Sequence, residues 1–90
     1  MALARNGLYL DALGISSKHA MRKLLSEFRA RGWRDPGDAA LLIISRIERQ
    51  PGITAERAAA AAPPEFFDLN EIRRSDLAEM LETLAGRSRP

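Results

Sequence analysis

The sequence has no cysteine and only one histidine, His19, among its 90 residues. The absence of cysteine excludes both a disulfide framework and a thiolate metal site. The chain also lacks a glycine-rich phosphate loop, a metal-spaced group of His, Asp and Glu, and a nucleophile beside a base and an orienting group. We therefore expect a protein that is not an enzyme, uses no metal or cofactor and has no evident small-molecule substrate.

Long apolar runs are missing as well. The longest, residues 39–44, is far shorter than the roughly 20 residues that a transmembrane helix needs. The apolar residues near the N-terminus are interrupted by Arg5, Asn6 and Asp11, which argues against a signal peptide. We expect no membrane association and a cytoplasmic location.

Helix signals are present throughout, and no segment has the sustained alternation of a strand. With 46% hydrophobic and 29% charged residues, the composition is that of a globular protein. We predict an all-α fold, a compact bundle of about five helices in a single domain over residues 1–86, with a frayed tail at 87–90. The predicted helices cover 3–13 (or only from Leu8), 17–31, 36–50, 55–62 and a last one from the Asp68/Glu71 capping pair to Gly86.

Several residues are typical of helix ends. Ser16 and Thr54 are expected to cap the second and fourth helices, and Gly32 to end the second. Asp35 is expected to cap the third helix, with Pro36 in its first position. Apolar content assigns two further segments. Residues 39–44 are apolar on all sides of a helix, which predicts a central buried helix. Residues 65–67 are predicted to form a connector whose aromatic side chains are buried.

The second helix has one apolar and one basic side. At about 100° per residue, one arc carries apolar side chains and the opposite arc carries polar, largely basic ones. The apolar arc holds Ala20, Met21, Leu24, Leu25 and Phe28, and the basic arc holds Lys18, His19, Arg22, Lys23, Ser26 and Arg29. Such a face suits nucleic acid or an acidic protein partner, or it is simply solvated.

Charge is unevenly distributed along the chain, although the net charge is only +2. Residues 1–34 carry seven Lys and Arg against two acids, whereas 35–90 carry seven Arg against ten acids. The basic end is expected to attract a polyanion, and the acidic end to repel one.

A helix-turn-helix interpretation follows from this order. Residues 8–13 would form the supporting helix, Gly14-Ile15-Ser16 the turn with Ile15 buried, and 16–32 the recognition helix. At the start of that helix, Ser17, Lys18 and Arg22 would reach base edges. His19, Lys23 and Arg29 would contact phosphates.

Two segments resemble known regulators. ALGISSKHAMRKLLSEFRARGW, residues 12–33, resembles the turn and recognition helix of bacterial helix-turn-helix and winged-helix proteins. LLIISRIERQPGITAERAAAA, residues 41–61, resembles the first two helices of MarR-type winged helices. The first resemblance implies that Ser17, Lys18, Arg22 and Lys23 face DNA. Because a helix start rather than a pair of strands follows Gly32, we expect no wing.

We therefore predict a small bacterial or phage DNA-binding transcriptional regulator, either monomeric or a homodimer. The alternative is a protein-binding adaptor or inhibitor on a helical scaffold. It would use Phe66, Phe67 and the acidic side of the last helix, or else the basic side of the second helix against an acidic partner. The acidic side carries Glu71, Asp76, Glu79 and Glu82.

Overall fold

The computed structural model describes residues 7–13 and 16–87, and this part of the chain is an all-α bundle, as predicted. Its helices are α1 (Leu10–Leu13), α2 (Ser17–Ala30), α3 (Pro36–Arg49), α4 (Ala55–Ala59), α5 (Pro64–Asn70) and α6 (Arg74–Arg87). There are thus six helices instead of about five. The predicted turn at Gly14-Ile15, the start of the first helix at Leu3 and tail residues 88–90 lie outside the described residues.

Both ends of α2 and the start of α4 form as predicted, whereas α4 ends at Ala59 and not at residue 62. The Ser16 hydroxyl accepts a hydrogen bond from the backbone N–H of His19 at 3.3 Å, and that of Thr54 accepts one from Arg57 at 3.2 Å. After α2, Gly32 has a φ of 78°, and Trp33 N–H donates to the Phe28 carbonyl at 3.0 Å. This is a Schellman termination, which requires the left-handed conformation that glycine adopts without steric strain.

The predicted cap at Asp35 is wrong. Its side chain makes no capping hydrogen bond, and its backbone is left-handed with a φ of 51°. A capping side chain reaches the first-turn N–H groups when the backbone of its residue is extended. The backbone of Asp35 is not extended, so its carboxylate does not reach them. Pro36 does occupy the start of α3, as expected.

The predicted connector at residues 65–67 is also wrong, because these residues lie within α5. Pro64 takes a first-turn position where no N–H is needed, and Glu71, with a φ of 54°, ends the helix. The last helix consequently begins at Arg74 rather than near Asp68. Its start is stabilised by Asp76, whose carboxylate accepts from Arg73 N–H at 2.8 Å.

Asn70 joins α5 to the loop between α2 and α3. Its side-chain oxygen accepts from Arg34 N–H at 2.5 Å, and its amide nitrogen donates to the Arg34 carbonyl at 3.1 Å and to that of Phe66 at 2.8 Å. The two hydrogen bonds to Arg34 fix the C-terminal end of α5 against the segment that follows α2.

The N-terminal segment is held by the turn between α3 and α4. Leu8 N–H donates to the Ile53 carbonyl at 2.7 Å, and Gly52 N–H donates to the Leu8 carbonyl at 2.9 Å. This bridge shortens the first helix relative to the prediction, because Leu8 uses its backbone groups for the turn and α1 starts only at Leu10.

The core receives side chains from every helix. The predicted inward residues of α3 and α6 are all buried: Ala40, Ile43, Ile44, Ile47, Leu77, Met80, Leu81 and Leu84. However, α3 is not buried all round, since Leu41 is 51% and Leu42 41% exposed. The neighbouring helices cover only one side of α3. Within the described residues, no helix has both the length and the apolar character needed to cross a bilayer.

Candidate nucleic-acid interface

The helix that carries the predicted site, α2, is fixed near both ends. At its start, the Ser17 hydroxyl donates to Oε2 of Glu48, in the last turn of α3. Because the start of one helix meets the end of the other, α2 and α3 run antiparallel. At its end, the Phe28 ring packs against Trp33 and Phe66, with ring centroids 5.6 and 5.5 Å apart. The outward face of α2 is therefore presented by a well-supported helix.

The structure places the predicted basic side chains on that outward face. Lys18, His19, Arg22, Lys23 and Arg29 are all exposed. Ala20, Leu24 and Phe28, on the opposite side, are fully buried. At a rise of 1.5 Å per residue, Lys18 and Arg29 lie about 16 Å apart along the helix axis. These five residues form what we term the basic face of α2.

Ser17 is the one predicted DNA-facing residue that the structure separates from this basic face. It is half-buried, and its hydroxyl is bound to the Glu48 carboxylate. Glu48 thus brings a negative charge to the end of α2 that was expected to read bases. Sequence reasoning missed Glu48 because the two residues are 31 positions apart and no local pattern links them.

Arg31 lies just beyond α2 and is held by neighbouring side chains. Its guanidinium is 3.5 Å from the Glu27 carboxylate and 5.6 Å from the centre of the Trp33 ring. These contacts keep it at the C-terminal end of the helix, outside the basic face. At the other end, the His19 ring nitrogen Nδ1 lies 3.1 Å from the Ser16 hydroxyl, which orients the ring.

The acidic helix α6 does not cover the basic face. It packs mainly against α4 and, to a smaller extent, α1, whereas α2 packs on α3 and α1. Glu79 and Glu82 on α6 are exposed, so neither set of charges is buried by the other. The basic face is consequently not covered by α6.

The two aromatics predicted as interface residues have different positions. Phe66 is only 3% exposed and contacts Trp33 edge-on at a centroid distance of 6.0 Å, so it belongs to the core. Phe67 is half-buried, 5.9 Å from Phe66. In this conformation Phe66 is not available to anchor a partner protein.

The supporting helix of the expected motif is short. α1 has four residues and packs against α2, and the turn between them is outside the described residues. The chain matches no protein-family model, no curated protein and no solved structure. Both the helix-turn-helix interpretation and the MarR-like resemblance therefore stay predictions.

Proposed function

We propose that this protein is a small, cytoplasmic, non-enzymatic DNA-binding regulator of transcription that contacts duplex DNA through the basic face of α2. The single observation that carries the proposal is the exposure of Lys18, His19, Arg22, Lys23 and Arg29 on one side of a supported helix. Cationic side chains arranged in this way neutralise phosphates and release counterions, which supplies the sequence-independent part of DNA affinity.

The dimensions of α2 suit the major groove. An α-helix with its side chains is about 10–12 Å in diameter, and the major groove of B-DNA is about 12 Å wide. Lys18, Arg22 and Arg29 lie in one strip of the basic face, within about 40° of one another around the axis. Of these, Arg22 is the candidate for a base contact, because arginine bonds guanine O6 and N7 in a bidentate manner.

Ser17 has no place in the proposed interface, since its hydroxyl is bound to Glu48. This leaves phosphate contacts as the main source of affinity. Four permanently charged side chains on the basic face predict a steep salt dependence, with a slope of log affinity against log salt near −3.6 if each neutralises one phosphate.

The decisive experiment is a fluorescence-anisotropy titration of a labelled DNA duplex at about 30 and about 150 mM salt. The Lys18→Ala/Arg22→Ala variant should bind more weakly, and its salt slope should be smaller by about 1.8, the share of two phosphate contacts. Its thermal stability should be nearly unchanged, because both side chains are exposed.

The matched control is Arg57→Ala/Arg74→Ala, which removes the same charge from exposed positions on α4 and α6. This variant should retain the affinity and the salt slope of the parent protein. The proposal would be abandoned if the parent protein failed to bind at the lower salt concentration, or if the two variants lost affinity equally.

A further inference from the structure

The outward side of α3 carries an apolar patch that nothing in the described chain covers. Leu41 and Leu42 are 51% and 41% exposed in the middle of the helix, and the half-buried Ser45 follows one turn later. An α-helix that is apolar all round is usually buried on all sides. In this chain, residues 39–44 of α3 have the sequence pattern of such a helix, but α3 is covered only on the side of Ile43 and Ile47.

Opposite charges lie at the two ends of the same side. Asp38 is in the first turn of α3 and Arg49 in its last turn, and both are exposed. They are about 16 Å apart along the axis, too far to pair with each other. Among the described residues, neither takes part in an ion pair. We term Asp38, Leu41, Leu42, Ser45 and Arg49 the outward face of α3.

We propose that this face binds a second copy of the chain, with the two α3 helices antiparallel about a two-fold axis. In that arrangement Asp38 of each copy meets Arg49 of the other, and Leu42 meets Ser45 of the other. Charge complementarity favours a second copy as the partner. The face has an acid at one end of α3 and a base at the other, so two copies related by a two-fold axis place each acid opposite a base. The small Ser45 side chain lets the helices approach closely.

Two leucines at the centre and charged pairs at the rim are the usual distribution of an interface. The face extends along about 16 Å of helix, and one helix pair buries less than the about 800 Å² per partner of a standard interface. The dimer is therefore weak, with a dissociation constant on the order of 100 µM.

The test is sedimentation equilibrium of the full chain and two charge-reversed variants, each alone and mixed. Asp38→Arg and Arg49→Asp each place like charges opposite each other at both ends of the helix pair, so each variant alone should associate about tenfold more weakly than the parent. An equimolar mixture should restore association, because every pair between the two different variants is again of opposite sign.

Glu82→Arg, which reverses an exposed charge on α6, is the control and should associate like the parent protein. Leu42→Glu should abolish association while preserving the thermal melt, since the side chain is exposed. A parent protein that remains monomeric at about 500 µM would overturn the proposal. The proposal would also be overturned if neither charge-reversed variant weakened the dimer, or if mixing the two variants failed to restore it. Either result would mean that the dimer forms through a different surface. None of these measurements involves DNA, so their failure is distinct from failure of the proposed function.

Discussion

The Ser17 hydroxyl on α2 donates a hydrogen bond to the Glu48 carboxylate on α3, which joins the start of the basic helix to the end of its neighbour. The contact has two opposing consequences. It helps to hold α2 in place, and it brings a negative charge beside the proposed DNA surface. Lys18, the next residue along α2, is exposed and carries the first charge of the basic face.

Replacing the charge of Glu48 should strengthen DNA binding. Glu48→Gln keeps an oxygen that can accept from Ser17 but removes a carboxylate that repels phosphates. We expect affinity for a DNA duplex to rise about two- to threefold at low salt and the gain to shrink as salt screens the surface. Fluorescence anisotropy at two salt concentrations measures both effects.

The control for that change is Glu82→Gln on α6, which removes the same charge from an exposed position outside α2 and α3. It should change affinity less than Glu48→Gln at either salt concentration. Equal gains for the two variants would mean that net charge, and not the position of Glu48, governs binding.

Local sequence signals predicted the helix ends that depend on local chemistry. Ser16 and Thr54 cap their helices through hydrogen bonds to residues three positions on. Gly32 ends α2 because the required backbone conformation is strained for other residues. The inward faces of α2, α3 and α6 likewise followed from their helical periodicity.

Features that depend on distant contacts were not predictable in this way. α5 has only seven residues, too few to be stable alone, and is held by the buried Phe66 ring and the Asn70 hydrogen bonds to Arg34. A Pro-Pro pair such as Pro63-Pro64 is typical of a helix end, but Pro64 is also a typical first helical residue, and local sequence alone does not decide between the two. The exposure of Leu41 and Leu42 depends on which neighbours cover α3, and periodicity does not contain that information.

Phe66 and Phe67 should differ in their effect on stability. Phe66→Ala removes a buried ring that contacts Phe28, Trp33 and Phe67, and should lower the free energy of unfolding by about 3–5 kcal/mol. Phe67→Ala removes the same atoms from a half-buried site and should cost about half as much or less. Urea denaturation measures both values.

The single tryptophan, Trp33, reports on the same cluster, since its ring centre is 6.0 Å from that of Phe66. Its fluorescence should change more in Phe66→Ala than in Phe67→Ala. If Phe66→Ala were as stable as the parent protein, the ring would not be a core residue, and its role as an anchor for a partner protein would have to be considered again.

Gly7 should tolerate no side chain, because the N-terminal segment passes very close to the turn after α3. A Cβ atom at Gly7 would lie 2.1 Å from the Gly52 carbonyl oxygen, so the two backbones would have to separate. That separation would break the hydrogen bonds between Leu8 and residues Gly52 and Ile53. Gly7→Ala should therefore lower the free energy of unfolding by about 1–3 kcal/mol and increase amide hydrogen exchange at Leu8 and Gly52 specifically.

Gly37→Ala is the matched control: it adds the same methyl group within α3, where no atom lies within 4 Å, and should raise stability by about 0.5–1 kcal/mol. A Gly7→Ala protein as stable as the parent, with unchanged exchange at Leu8, would show that this close contact does not hold the N-terminal segment in place.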